Sequence, residues 1–373
     1  MNDGGSGAGR GPWPEEGARL YLRPVAVLRS KAAARMVDSG RACWIAGGPL
    51  AATTLELSSR SDGQVERRVA TVAELEEWIR DTRRPAARRV GELLERVRSA
   101  RPGMSDTPRL MGVVNVTPDS FSDGGLFLDP ASALAQCEAL LAAGAHILDI
   151  GGESTRPGAL PVPVDVELGR VHPVLDALRQ RRPTMPGVEI SIDTRHAEVM
   201  RHALATGIDV INDVSALTGD PDSLAVAAAS KARVVLMHMQ GTPETMNLAP
   251  AYDDVVLDVY DYLDGRIEAC VAAGIDRSRL IVDPGIGFGK RGPQNLELLR
   301  HIGILHGLGC PILLGVSRKG LGSGLESVPP DQRVPASLAA AMHALSTGVQ
   351  MLRVHDVAAT RQVIDVWRRL GTA

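Results

Sequence analysis

Aromatic side chains are scarce in this chain. Phe, Tyr and Trp together make up 3% of it, too few for the stacking platforms of single-strand nucleic-acid binders. An excess of one charge is missing as well: the formal net charge is -3, which gives no reason to expect nucleic-acid or membrane binding. Cysteine is sparse, and Cys43, Cys137, Cys270 and Cys310 form neither a CxxC nor a mixed Cys/His spacing. A disulfide framework is therefore not expected, and reduced core thiols in a cytoplasmic protein are. No apolar run is long enough to span a bilayer, and Met1 to Gly17 lacks the apolar centre of a signal peptide. Lysine occurs only at Lys31, Lys231, Lys290 and Lys319, so on this arginine-rich background a lysine is informative.

What is there divides in two. A length of 373 residues accommodates one large domain and something smaller. Residues 1–18 are expected to be disordered. Residues 19–99 read as a small mixed α/β segment of unassigned role. Leu20–Leu28 and Trp44–Leu57 suggest strands there, Lys31–Asp38 a helix, and Thr71-Val72-Ala73-Glu74 a capping box opening one or two helices that run to Ser99. Residues 100–108 form a linker by their Pro and Gly content. From 109 to 373 the pattern becomes a regular alternation. Apolar runs at 110–116, 146–150, 188–193, 209–213, 233–238, 279–283, 311–316 and 350–355 are each followed by a helical stretch, among them one expected at 294–307. Eight βα units of this size predict a (β/α)8 TIM barrel rather than an open doubly wound sheet.

Barrel chemistry gathers at the carboxyl ends of the strands. Those positions here are Asn115, Asp149, Asp193, Asn212, His238, Asp283, Ser317-Arg318-Lys319, Arg353 and His355. A single Asp or Asn there is as readily a helix cap or loop brace, and Asp149 and Asp213 stand at even odds between bracing and binding. The set as a whole is a binding site. Asp193 and Asp283 suit a ligand edge with adjacent N–H donors, Asn212 offers a donor and an acceptor, and Lys319 donates. Arg353, His355, Thr155 and Asn115 suit an anion, with charge-assisted donors and an amide oxygen able to ligate Mg2+. A flat heterocycle with a phosphorylated arm would meet both groups.

The motifs carrying these residues resemble those of the dihydropteroate synthase family, in the family's order over roughly 110–370. They are NVTPDSFSDGG from Asn115, GGESTRPGA from Gly151, Ser191-Ile192-Asp193-Thr194, Ile211-Asn212-Asp213-Val214, and Leu236-Met237-His238-Met239-Gln240-Gly241. After them come the stretch from Asp283 to Lys290, Ser317-Arg318-Lys319, and Arg353-Val354-His355-Asp356-Val357. The resemblance implies a transferase of folate biosynthesis that joins 6-hydroxymethyl-7,8-dihydropterin pyrophosphate to p-aminobenzoate, giving 7,8-dihydropteroate and pyrophosphate, in a cytoplasmic homodimer. It assigns the pterin to Asp193, Asn212, Asp283 and Lys319 with Met237, the pyrophosphate to Arg353, His355 and Thr155 beside Val354, and Mg2+ to Asn115. Around p-aminobenzoate it places Phe121, Asp123, Arg156, Pro157 and Phe288. Lys319, Arg353, Asp283 and Asp123 are the expected catalytic residues. Closure of the loops around 117–125 and 153–160 is expected to exclude water.

Where many members carry Ser or Arg after the Ser-Arg-Lys stretch, this chain has Gly320, leaving the aminobenzoate carboxylate to backbone N–H groups or a helix N-terminus. The glycines from Gly285 to Gly289 have the wrong spacing for a Walker A or dinucleotide loop, which makes Lys290 a surface or loop-bracing residue. His146, His196, His202, His301 and His343 show no metal-ligand spacing. Two other readings share the pterin contacts: a corrinoid-dependent methyltransferase barrel, which would not carry the anion-binding motifs, and a catalytically silent pterin-binding paralogue.

Overall fold

The computed structural model describes residues 13–29, 31–117, 130–156, 158–322 and 324–372. Seven elements precede the barrel: β1 (Arg19–Leu28), α1 (Lys31–Asp38), β2 (Cys43–Trp44), β3 (Ala51–Ser61), β4 (Gln64–Thr71), α2 (Val72–Asp81) and α3 (Pro85–Arg98). The strands form an antiparallel sheet in which β3 pairs with each of the other three. The expected strand Trp44–Leu57 is broken, because Ile45 N–H bonds back to the Leu50 carbonyl and turns the chain between β2 and β3. The capping box is present: Thr71 accepts the Glu74 amide, and Glu74 accepts the Thr71 amide.

The sheet rests on the barrel through charge and aromatic contact. Tyr21 donates to Asp261 at 3.0 Å and meets Tyr260 edge-on at 5.2 Å. Arg60 pairs with Asp258 at 2.6 Å, and Arg67 with Asp254 at 2.7 Å. Within the segment expected to be disordered, Trp13 is packed, its ring stacked on Trp78 at 4.4 Å under the Arg68 guanidinium. The linker is also anchored. Arg101 is buried and donates to the His306 carbonyl at 3.1 Å, while Met104 packs against the lower end of the barrel lumen.

The barrel strands are β5 (Arg109–Asn115), β6 (Ile147–Gly151), β7 (Glu189–Asp193), β8 (Val210–Asp213), β9 (Arg233–Met237), β10 (Leu280–Asp283), β11 (Leu313–Leu314) and β12 (Met351–Val354). All pair in parallel in the order β10-β9-β8-β7-β6-β5-β12-β11, and a parallel bridge between Val282 and Ile312 closes the ring. Helices follow as α4 (Pro130–Ala142), α5 (Val164–Arg181), α6 (Ala197–Ala205), α7 (Ser223–Ala229), α8 (Val255–Ala272), α9 (Gly292–Arg300), α10 (Val334–Ser346) and α11 (Val357–Thr372). The helix expected at 294–307 is two pieces: α9, then a 3₁₀ segment Ile302–Leu308 ended by Gly309 at φ 76°. Among the described residues no helix is long and apolar enough to cross a membrane.

Strand alternation sorts the barrel side chains into two sets. One parity, including Leu110, Leu148, Ile192, Val234, Leu352 and Val354, faces the helices in the main core. The other places Met111, Ile147, Val210, Val235, Ile281, Leu313 and Met351 in the lumen, where they form a buried apolar plug. Below it Glu189 pairs with Arg109 and Arg233. Above it, in the same parity, come Asp149, Asp193, Asn212, Met237, Asp283 and Arg353. An apolar floor under converging polar groups follows directly from strands that read apolar until their last residues.

Candidate active site

At the carboxyl end of the barrel lies a cavity of about 560 Å³, lined by residues that include Asn115, Glu153, Thr155, Arg156, Asp193, Phe288, Lys319, Arg353 and His355. The residues assigned to heterocycle and anion are not segregated. Arg353 donates to Asp193 Oδ2 and to Asp149 Oδ2, each at 2.6 Å. Asn212 also donates to Asp149 Oδ2, at 3.1 Å. Asp149 is thus a brace: it is wholly buried, lines no part of the cavity, and fixes two neighbours. Asp213 braces too, accepting the amides of Ser215 and Leu217.

Burial raises the pKa of Asp193, against the pull of Arg353 and with the push of Asp149. Asp283 is raised for the same reason and is restrained by the Gly285 amide, which donates to it at 2.7 Å. Lys319 lies beside it. Both groups stand over Gly315, where a Cβ would make ordinary contact with each, 3.7 Å from Asp283 Oδ2 and 3.9 Å from Lys319 Nζ. Lys319 Nζ also donates to the Ile286 carbonyl and sits 4.5 Å from the centre of the Phe288 ring. Burial pulls its pKa down to about 8, with Asp283 acting in the other direction.

His355 differs from its expected role as a charged donor. Burial and the guanidinium groups of Arg353 and Arg318 push its pKa down to about 4, so without a bound anion it is a neutral imidazole, with Nδ1 3.2 Å from Ser317 Oγ. Val354 departs further. Its side chain packs outward in the barrel-to-helix core, as the parity of β12 requires, and cannot line the site. Asn212, Met237 and Asp283 are buried at the strand ends but do not line the cavity described here. Phe121, Asp123 and Pro157 lie outside the described residues.

The stretch from Gly285 to Lys290 is a folded brace. Gly285, Gly287 and Gly289 have φ of 65°, 82° and 59°, a left-handed conformation that favours glycine. The resulting curl turns carbonyls inward onto Lys290, which is buried rather than on the surface. Its Nζ donates to Gly285 and Phe288 carbonyls at 2.8 Å and to the His238 carbonyl at 3.2 Å, and lies 2.9 Å from His238 Nδ1. His238 is accordingly a buried internal partner whose pKa burial and Lys290 drive far down. Among the described residues, the first helical turn after Lys319 is the 3₁₀ segment Pro330–Arg333. A Cβ at Gly320 would meet Glu326 Cγ at 3.1 Å; the missing side chain is replaced by close approach of that residue.

Sequence reading did not single out Arg333, Pro330, Leu321 or Glu153 as parts of this cavity wall. Arg333 carried no signal, because it reaches the site through the irregular segment before α10, donating to the carbonyls of Val328, Arg318 and Glu326.

Comparison with known proteins gives the barrel's family. Residues 111–355 match the family model described as pterin binding enzyme. The dihydropteroate synthase of Neisseria meningitidis is 47% identical over 272 residues, covering 71% of this chain and 94% of that protein. A structure of Xanthomonas albilineans dihydropteroate synthase with 4-aminobenzoic acid is 48% identical, with a TM-score of 0.66 over 72% of this chain and 94% of that one. The same enzyme in complex with 7,8-dihydropteroate is 45% identical, with a TM-score of 0.64 and coverage of 72% and 95%.

Proposed function

The chain belongs to the dihydropteroate synthase family of pterin-binding transferases, and from that premise we propose a role for each group at the mouth of its barrel. The reaction joins 6-hydroxymethyl-7,8-dihydropterin pyrophosphate to p-aminobenzoate with release of pyrophosphate. One observation carries the assignment: Asn115, Asp193 and Arg353 from three different strands, with Lys319 and His355 from the loops after β11 and β12, converge on a single cavity. Asp283 and Lys319, adjacent over Gly315, take the hydrogen-bonding edge of the pterin. Asn212 adds a mixed donor and acceptor, and Met237 packs against the ring.

Arg353 and His355 take the pyrophosphate, with Thr155. The neutral His355 gains a proton more readily once that anion is present, because the anion reverses the field that lowers its pKa. As the carbon–oxygen bond to pyrophosphate breaks, positive charge develops on the pterin methylene carbon. Buried Asp193 and Asp283 face that charge without reorganising, which is where fixed dipoles and charges are most effective. The arylamine of p-aminobenzoate is already nucleophilic, so no strong general base is required. Arg156 and Phe288 flank it.

Mg2+ is assigned to Asn115. Its side chain is half-buried at the end of β5, faces the cavity, and makes no hydrogen bond with another described residue. A free amide oxygen of that kind suits a hard cation that keeps phosphate oxygens and water as its other ligands. Bound there, the ion would neutralise charge on the pyrophosphate.

The protein is also read as a cytoplasmic homodimer. The cysteines are all buried and unpaired, which fits a reducing compartment, and Val366 and Leu370, exposed one turn apart on α11, offer an apolar start for self-association. Calorimetric titration of pterin pyrophosphate tests the metal and anion assignments. Affinity is expected to depend on Mg2+ in the wild type and to lose that dependence in Asn115→Ala. An unchanged Mg2+ dependence in the variant would remove Asn115 from the metal site.

A further inference from the structure

Glu153 closes the second active-site loop on itself. It is buried at the start of the loop, and its Oε1 accepts the amide of Val162, at the loop's other end, at 3.0 Å. The segment that carries Ser154, Thr155 and Arg156 to the cavity therefore leaves from and returns to one carboxylate. Arg195, two positions after Asp193 in the turn between β7 and α6, grips both oxygens of that carboxylate: Nε to Oε2 and Nη2 to Oε1, each at 2.9 Å. This is the bidentate fork that guanidinium forms best, and it is strong where both partners are shielded from water.

A floor of polar contacts lies beneath the loop stem. Arg170 of α5 donates to the Gly152 carbonyl at 2.7 Å. Glu167 of α5, wholly buried, meets His196 Nδ1 at 2.6 Å. A Cβ at Gly152 would come within 2.8 Å of Val171 Cγ1 and 3.0 Å of Glu167 Cγ, so the stem is pressed onto α5 as closely as backbone allows. Glu153, Glu167 and His196 are near enough to one another to suggest a metal site. Charge decides otherwise, since both Glu153 oxygens already face the Arg195 guanidinium and a dication would have to sit against it.

We infer that the Arg195–Glu153 pair is a clamp that fixes the stem of the second loop to the end of β7, setting Thr155 and Arg156 in register with Asp193. Arg195 and Glu153 are positioning residues for the second substrate. The assignment rests on the proposed contacts of Thr155 and Arg156 with substrate. Without Arg195, Glu153 retains a single amide in a buried place, and the stem opens to hydrate the carboxylate.

The test uses the full-length chain as wild type, Arg195→Gln, Arg195→Lys and Arg156→Ala. It measures KM and kcat for p-aminobenzoate, the directly titrated Kd of the pterin pyrophosphate, and hydrogen exchange of the Val162 amide. Arg195→Gln is expected to raise KM for p-aminobenzoate about tenfold, to raise the pterin pyrophosphate Kd by a smaller factor of about threefold because Thr155 is one of several groups on the pyrophosphate, and to speed exchange at Val162. Arg195→Lys should recover part of both effects, because an ammonium still satisfies one oxygen. Unchanged Val162 exchange in Arg195→Gln overturns the clamp itself. A pterin Kd that rises in step with KM also overturns it, by placing the effect on β7 rather than the loop. If Arg156→Ala raises KM and Arg195→Gln does not, the clamp fails while the loop's contact with substrate stands. If neither variant moves KM, the proposed contact fails and the inference falls with it.

Discussion

Arg353 and Asp193 lie on strands that are not neighbours in the ring, yet the guanidinium Nη2 comes within 2.6 Å of the carboxylate while its Nε holds Asp149 at the same distance. A residue assigned to the leaving pyrophosphate is thus set in place by a residue assigned to the pterin. On the proposed assignments, one charge network serves both halves of the pterin pyrophosphate.

Arg353→Ala leaves two buried carboxylates facing each other without their cation. Breaking a buried pair from one side costs about 3–5 kcal/mol, and loss of stability in that range is expected by urea unfolding at pH 7. The pH dependence follows from the sign of the shift. Without Arg353 the folded-state pKa of Asp193, already raised by burial, lies still further above its unfolded value, so the destabilisation is present at neutral pH and fades as the pH falls and Asp193 protonates. A deficit that is constant from pH 7 to pH 4.5 would contradict this account of the network.

Lys319 has a folded-state pKa brought down to about 8 by burial. Capture of an anionic pterin substrate uses the ammonium form, so kcat/KM for that substrate should be level below pH 8 and fall above it. In Lys319→Met the value should drop by about 10²-fold and the alkaline limb should vanish. A limb that persists in the variant would assign it to another group.

Lys290 tests the brace. Replacing it by Met keeps the volume of the stem but leaves carbonyls of Gly285, Phe288 and His238 short of a donor. At roughly 1–3 kcal/mol for each buried group left unsatisfied, a loss of about 3 kcal/mol is expected, together with weaker pterin binding through displaced Asp283 and Phe288. Thermal unfolding and ligand titration of the same variant check both.

Val354→Ala separates motif from side chain. The valine points into the helix-facing core, so truncation should cost about 2 kcal/mol by lost burial and leave both KM values within twofold. A selective rise in either KM would return Val354 to the site.

Much of this was legible in the chain. The strand ends were readable because apolar alternation stops at Asp193, Asp283 and Arg353, and position on a barrel strand fixes both face and end. Lys31–Asp38 and the Thr71 capping box were readable from local chemistry. The second strand of the β3–β4 hairpin was not drawn, although Asp62-Gly63, with φ of 48° and 76°, is the dipeptide such turns favour. Other features were illegible for a physical reason. Whether Arg353 is paired, whether Lys290 is buried, and which neighbours lower the pKa of His355 depend on contacts between segments far apart in sequence. Val354 was misplaced by reading a motif as a unit, when strand parity sends alternate residues in opposite directions.

The central claim is chemical turnover at this network. The most direct test is pyrophosphate release from 6-hydroxymethyl-7,8-dihydropterin pyrophosphate with Mg2+, with and without p-aminobenzoate, in wild type, Lys319→Ala and Arg353→Ala. Release that requires p-aminobenzoate and collapses in both variants is the predicted result. Tight pterin binding with no release by the wild type would contradict it and identify a silent pterin-binding paralogue.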